Sequence, residues 1–208
     1  MISDYQRLMR SWHEREVSGT GVQHAVADTD SRRVDDQFEK AFARVQSSLI
    51  ADLLSQIHIR EPQFFEKLVI DVLLAMGYGG RRRDLARRLG RSGDGGVDGM
   101  IAQDELGLDP IYLQAKRLKP GAVVPISEVR DFAGSLDARH ANKGIFLTTS
   151  HFAPSAVAFC EQVSRRVALV DGKQFAELMI RFNIGVTVRH SYQIKQLDPG
   201  YFRGSAPL

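Results

Sequence analysis

The stretch RSGDGGVDGMIAQDELGLDPIYLQAKRLKPG, residues 91–121, decides the fold of this chain. It predicts two strands, at about 96–103 and 109–117, which the turn-prone segment DELGLD joins into an antiparallel hairpin. Four glycines lie between residues 93 and 99, ahead of the first strand and at its start. Because glycine weakens a strand, this density indicates that another group must approach the backbone closely.

Polar side chains on this hairpin fit two interpretations. One is a strand-end lysine in solvent beside a hydrogen-bonded glutamine, and the other is a site for metal-assisted phosphodiester cleavage. Gln114 and Lys116 are two residues apart on a strand, so both point to the same face. Asp98, on the preceding strand, can lie opposite them, and Glu66 can reach the same place from a helix packed on the sheet. Carboxylate and amide oxygens are hard ligands that suit Mg²⁺, and a neighbouring lysine can orient water and offset charge on phosphorus.

The rest of the chain predicts an α/β fold. Apolar residues recur at three- and four-residue steps from Asp35 to Ile57 and predict one long helix, and a second helix begins at Pro62. After residue 109, the strand patterns KGIFLTTS and VALVDG alternate with three helical patterns. Alternation of this kind predicts a layered sheet with some parallel pairing.

Charge and cysteine content limit the function classes. The formal net charge is only +3, but residues 81–91 hold six arginines next to the glycine-rich stretch. A solvated basic face is the plain interpretation, whereas the neighbouring site favours contact with a DNA or RNA backbone. Cys160 is the only cysteine, which excludes an intramolecular disulfide and fits a reducing compartment. With no signal peptide and no long apolar run, we expect a cytoplasmic protein without membrane partners.

Five segments together carry a resemblance that covers about residues 60–187. They are FFEKLVIDVLLAMGYGG, GDGGVDGMI, IYLQAKR, KGIFLTTSHFAPSAVAF and VALVDGKQFAELM, in this order. This succession resembles the catalytic domain of the Mrr family of type IV restriction endonucleases, a branch of the PD-(D/E)xK nucleases. The resemblance implies a restriction-endonuclease-like fold, in which helices flank a central mixed β-sheet. It also implies Mg²⁺-dependent cleavage of double-stranded DNA, typically DNA that carries modified bases such as methylated ones.

The resemblance also assigns roles to individual residues. Asp98 matches the metal-binding acid, Gln114 stands at the second ligand position in place of the usual acid, and Lys116 matches the lysine. Glu66 matches the helical glutamate that many of these nucleases add, and the main-chain carbonyl of Ala115 is a further candidate ligand. Mn²⁺ is expected to substitute for Mg²⁺. Since Gln114 removes one negative charge, metal affinity should be lower unless Glu66 compensates.

The sequence pattern and the resemblance together predict the domain organisation, and the basic residues predict the DNA contacts. Residues 61–195 would form the catalytic domain, 35–60 a connecting helix, 1–34 a poorly structured or loosely packed segment, and 196–208 a tail. The winged-helix DNA reader usual in the family is not visible in residues 1–34, so base recognition stays open. A homodimer or higher homo-oligomer is also left open. The predicted DNA-binding residues are Arg81, Arg82, Arg83, Arg87, Arg88, Arg91, Arg117 and Lys119.

Other functions were weighed against a restriction nuclease. A non-catalytic DNA-binding module of the same fold would bind DNA without metal-dependent cutting, and a repair or junction-resolving nuclease would share the chemistry but prefer another DNA shape. Ser150 and His151 invite a hydrolase interpretation, but adjacent strand residues point to opposite faces and no G-x-S-x-G motif is present. This pair is expected to end a strand and cap the next helix.

Overall fold

The computed structural model describes residues 23–79, 86–88, 96–104, 106–162, 166–193, 195 and 197–202. By its internal contacts the chain divides into two compact units, Met1–Ala51 and Asp52–Leu208. In chain order the elements are α1 (Gln23–His58), α2 (Pro62–Ala75), β1 (Ala86–Arg88), β2 (Gly99–Ala102), β3 (Pro110–Lys116), β4 (Val123–Val124), α3 (Ile126–Ala138), β5 (Lys143–Thr148), β6 (His151–Phe152), α4 (Pro154–Gln162), β7 (Arg166–Val170), α5 (Gly172–Arg181) and α6 (Pro199–Phe202).

The long first helix is present, but it begins earlier than its apolar pattern predicts. It starts at Gln23 rather than near Asp35. Residues 23–34 lack apolar periodicity, yet they contain no glycine or proline to break a helix, so the helix continues back through them. None of the helices in the described ranges is long and apolar enough to cross a membrane.

A five-stranded mixed sheet forms the centre of the second unit, in the order β1-β2-β3-β5-β7. The strands β1, β2 and β3 pair antiparallel, while β3, β5 and β7 pair parallel. Both the hairpin and the parallel pairing predicted from the sequence are therefore confirmed. The predicted α/β class, with a central mixed sheet, helices and a long amino-terminal helix, is confirmed as well.

The turn of the hairpin is organised by one aspartate. Asp104 accepts hydrogen bonds from the backbone N–H groups of Leu106, Leu108 and Asp109. Burial alone would raise the pKa of Asp104, but these backbone hydrogen bonds outweigh that effect and lower the pKa below its ordinary value. The side chain thus closes the turn that brings β2 and β3 together.

A small second sheet corrects one expectation. Val123 and Val124 of β4 pair in parallel with His151 and Phe152 of β6. His151 therefore begins a two-residue strand, and the expectation that it caps the following helix is wrong. The strand was not predictable because it pairs with residues far away in sequence, and because two residues are too few to show an alternating pattern.

Aromatic side chains form the core. Phe146 of β5 makes edge-to-face contacts with Phe132 of α3, at 5.5 Å between ring centroids, and with Phe152 of β6, at 5.4 Å. A Cβ atom at Gly144 would lie 2.7 Å from Leu136 and 2.8 Å from Phe132, so only glycine allows α3 to pack this closely on β5. A separate contact between Phe65 and Phe175 joins α2 to α5, with ring centroids 5.2 Å apart.

Candidate active site

The hairpin holds Asp98 against the backbone of β3. The Asp98 N–H donates to the Leu113 carbonyl at 2.8 Å, and the Ala115 N–H donates to Asp98 Oδ2, also at 2.8 Å. The carboxylate of Asp98 therefore lies beside the main chain between Gln114 and Lys116. The structure brings these three predicted site residues into one neighbourhood.

Gln114 and Lys116 line a cleft of about 830 Å³ together with Gly96 and residues of α3. The Gln114 Oε1 atom is buried and has no hydrogen-bond partner within the described part of the chain. A buried carbonyl oxygen without a partner is costly, which makes this atom a candidate ligand for a cation. Gly96 has a φ of +80°, and a Cβ there would lie 3.1 Å from Gln114 Nε2. The sequence predicts that another group approaches the glycine-rich backbone closely. At Gly96, this group is the side chain of Gln114.

Lys116 has an acidic partner, Glu128, that was not predicted from the sequence. Its Nζ atom lies 2.5 Å from Oε2 of Glu128, with 36% and 28% of the two side chains exposed. Glu128 is in the first turn of α3 and lines the same cleft. Its only sequence signal is an acid in the first turn of the helix that follows β4, which is a common arrangement at helix amino termini. The contact itself is not readable from spacing.

Two buried threonines hold the end of β3. Thr148 Oγ1 donates to the Lys116 carbonyl at 2.9 Å, and the Thr149 N–H donates to the same carbonyl at 3.3 Å. The Thr149 hydroxyl accepts from the Leu118 N–H and donates to the Leu118 carbonyl, both at 2.9 Å. The backbone that follows Lys116 is therefore fastened to the end of β5. These threonines belong to the predicted strand KGIFLTTS, but no role was foreseen for them.

The predicted DNA-binding residues fall in different places. Arg81, Arg82, Arg83 and Arg91 lie outside the described residues. The backbones of Arg87 and Arg88 form β1, opposite Met100 and Gly99 of β2, which brings this strand next to the position of Asp98. Arg117 is half-buried and donates from Nη1 to the carbonyl of His58 at 2.9 Å, and Lys119 is exposed. A DNA contact by any of these residues remains a prediction.

Glu66 lies on α2, half-buried, next to the fully buried Phe65. The helix α2 packs against β3, as predicted, but a direct meeting of Glu66 with Asp98 remains a prediction. Within the described ranges, no three acidic, histidine or cysteine side chains are grouped closely enough to hold a metal ion. A cation at this site would therefore need the amide oxygen of Gln114 and main-chain oxygen in addition to the carboxylate of Asp98. All three are hard ligands of the kind that Mg²⁺ accepts.

Comparison with known proteins shows the family of this chain. The family model Mrr_cat, described as restriction endonuclease, matches residues 57–179, which is more than half of the chain. The chain belongs to the Mrr_cat family. The matched range includes the hairpin, the cleft and the helix that carries Glu66.

Relatives of the Mrr_cat chain include a characterised enzyme. The type IV methyl-directed restriction enzyme EcoKMrr of Escherichia coli K12 is 39% identical over 168 residues, which are 81% of this chain and 54% of the relative. The chain thus spans about half the length of this curated relative. Two solved structures are also similar: MspJI restriction endonuclease in complex with a 27-mer oligonucleotide, at 26% identity and a TM-score of 0.47, and the DNA modification-dependent restriction endonuclease AspBHI, at 22% and 0.49. They cover 67% and 68% of this chain, which in turn covers 33% and 36% of theirs.

Proposed function

We propose that this Mrr_cat chain is a Mg²⁺-dependent endonuclease that hydrolyses phosphodiester bonds of double-stranded DNA. The observation that carries the proposal is the buried Oε1 atom of Gln114, without a partner among the described residues, in a cleft that Lys116 also lines. The Asp98 carboxylate is hydrogen-bonded to the backbone of the strand that carries both residues. An oxygen ligand and a lysine at one cleft, with a carboxylate fixed beside them, are the groups that metal-assisted phosphoryl chemistry needs.

The roles of the residues follow from their chemistry. Asp98, Gln114 and the main-chain carbonyl of Ala115 would hold the cation, with Glu66 assisting directly or through water. When bound, Mg²⁺ supplies polarisation of a phosphoryl oxygen and lowers the pKa of water. Lys116 would orient the attacking water and offset the negative charge that develops on the phosphoryl oxygens. Mn²⁺ should occupy the same oxygen ligands.

We further propose that the substrate is modified DNA and that the biological role is restriction of foreign methylated DNA. The methyl-directed relative supports this, at 39% identity over 81% of the chain. The arginines on and around β1 would contact phosphates, and phosphate contacts position a protein without reading sequence. Recognition of the modified base is therefore expected to lie elsewhere than on β1.

A plasmid assay tests the proposal. Methylated and unmethylated plasmid would be incubated with the protein in Mg²⁺, in Mn²⁺ or in EDTA, and nicked and linear products measured on gels. We expect cleavage in either metal and none in EDTA, with methylated plasmid cut faster. Metal-independent DNA binding without cleavage would instead indicate a non-catalytic module, and preferential cutting of four-way junctions would indicate a junction-resolving nuclease.

A further inference from the structure

We propose that Glu128 is a positioning residue that holds the ammonium group of Lys116 in place for the reaction. This inference rests on the proposed nuclease function and adds to it a residue from outside the hairpin. The starting observation is the 2.5 Å separation between Lys116 Nζ and Glu128 Oε2, inside the cleft that Gln114 also lines. Lysine is a compact charge on a flexible four-carbon stem, so its place in a site depends on what holds it.

Glu128 is well suited to hold another group because buried residues before and after it in the chain fix the position of its backbone. Val124 and Val129, which flank it, are completely buried, and Phe132, one turn further along α3, is 1% exposed. The Glu128 N–H donates to the Pro125 carbonyl at 3.2 Å, at the start of the helix. The first turn of a helix also favours a negative charge. The backbone that carries the carboxylate is thus anchored by the core, whereas Lys116 reaches it from the end of a strand.

The identity of residue 114 explains why an acid from α3 is needed. Glutamine at this position supplies an oxygen ligand but no charge, so it cannot hold the neighbouring ammonium as a carboxylate would. Glu128 supplies that charge from another element that lines the same cleft. An ammonium group held by this carboxylate keeps its direction before DNA arrives, which lowers the cost of organising the site.

The test compares Glu128→Ala, Glu128→Gln and Glu128→Asp in the full chain, with Glu177→Ala as the matched control. Glu177 forms an ion pair with Lys173 on α5, at 3.8 Å, and does not line the cleft. We expect kcat for plasmid cleavage to fall about a hundredfold in Glu128→Ala, the size expected for misplacing a reacting group. Glu128→Asp should lose less, because it retains the charge, whereas Glu128→Gln should lose nearly as much as Glu128→Ala, because an amide carries no charge. KM for DNA and the activity of Glu177→Ala should stay near wild type.

A second measurement does not depend on cleavage. The ¹⁵N NMR signal of the Lys116 ammonium, assigned with Lys116→Arg, should be visible in the metal-free wild type and lost in Glu128→Ala, because an ion pair slows proton exchange with water. Mn²⁺ affinity, measured by electron paramagnetic resonance, should change less than threefold in this variant. A tenfold loss of Mn²⁺ affinity with an unchanged Lys116 signal would make Glu128 a metal ligand and overturn the positioning role.

The two proposals fail in different ways. If the wild type cuts plasmid and Glu128→Ala cuts it equally fast, Glu128 has no positioning role and the nuclease function stands. If the wild type does not cut any of the plasmids in Mg²⁺ or Mn²⁺, the nuclease function itself is wrong, and the role of Glu128 in it is lost as well.

Discussion

Asp98 has two tasks that a pair of substitutions can separate. Its Oδ2 atom accepts the Ala115 N–H, so the carboxylate supports the hairpin as well as supplying charge. Asn at this position keeps an oxygen acceptor for that N–H but removes the charge that a cation needs. The structural and the chemical contributions of Asp98 should therefore be measurable independently.

We expect Asp98→Asn to abolish plasmid cleavage while its free energy of unfolding stays within about 0.5 kcal/mol of wild type. Asp98→Ala should also abolish cleavage and, because it removes the acceptor, cost about 1 to 3 kcal/mol of stability. Urea unfolding and gel assays measure the two effects. Wild-type cleavage by Asp98→Asn in Mg²⁺ would show that the metal binds elsewhere.

Thr149 gives a second prediction for a single side chain. Replacing it by valine keeps the shape but leaves the N–H and the carbonyl of Leu118 without the hydroxyl that bonds both. We expect Thr149→Val to lower the free energy of unfolding by about 1 to 3 kcal/mol. Thr149→Ser, which retains the hydroxyl, should lose less, and equal losses in urea denaturation would show that the hydroxyl is unimportant.

At the scale of elements, the packing of α3 on β5 depends on one missing side chain. A Cβ at Gly144 would overlap Leu136 and Phe132, both of which are essentially buried. The added Cβ would push α3 away from β5. Glu128 lies in the first turn of α3 and would move with it. We expect Gly144→Ala to destabilise the fold by about 1 to 3 kcal/mol, as for overpacked cores. Gly134→Ala on the exposed side of α3, where a Cβ has open space, is the matched control for calorimetric melting.

The strand β1 leads to a prediction about DNA. Its two arginines face Gly99 and Met100 through backbone pairing, close to Asp98 in sequence and in space. Each phosphate that a protein neutralises contributes about 0.9 to the slope of log affinity against log salt concentration. Alanine at both Arg87 and Arg88 should flatten this slope by about 2 and weaken methylated and unmethylated DNA equally, by fluorescence anisotropy. Weakening of methylated DNA alone would assign these residues a role in reading the modification.

The sequence predicts those site residues that meet through contacts between neighbouring segments of the chain. Asp98, Gln114 and Lys116 belong to one hairpin, and alternation plus a short turn is enough to bring them together. The pairing of Lys116 with Glu128 is not predictable in this way, because it depends on how α3 packs across the sheet. The start of α1 was missed for another reason, since residues 23–34 carry no apolar pattern even though they can form a helix.

At the scale of the whole molecule, the end of α1 belongs to the fold of the unit Asp52–Leu208. Leu53 and Ile57 are 7% and 2% exposed, and His58 contacts the Leu118 carbonyl through Nε2 at 2.8 Å. A helix that the sequence describes as a connector thus supplies core side chains. The domain boundaries proposed from the sequence, with residues 35–60 as a connecting helix, place these residues outside the catalytic domain and remain a prediction.

We expect Ile57→Ala to lower the free energy of unfolding by about 2 to 5 kcal/mol, the usual cost of removing a large buried aliphatic side chain. Val45→Ala, earlier on the same helix, is the control because Val45 is 66% exposed, and its effect should stay within about 0.5 kcal/mol. Denaturant unfolding followed by circular dichroism measures both. Equal small effects would show that the end of α1 is not part of the cooperative unit.

The position of β3 in the sheet has a consequence for biosynthesis. This strand pairs antiparallel with β2 and parallel with β5. The site therefore depends on contacts between residues close in sequence and on contacts between residues far apart in sequence. The hairpin closes over a short loop, whereas the Thr148 hydroxyl reaches the Lys116 carbonyl across 32 residues. On the ribosome, Asp98, Gln114 and Lys116 are made before α3 and β5, so a nascent hairpin has the proposed ligands but not Glu128, the proposed partner of the lysine. The chain is therefore expected to acquire cutting ability only after synthesis has passed β5, which spares nearby DNA from an unfinished enzyme.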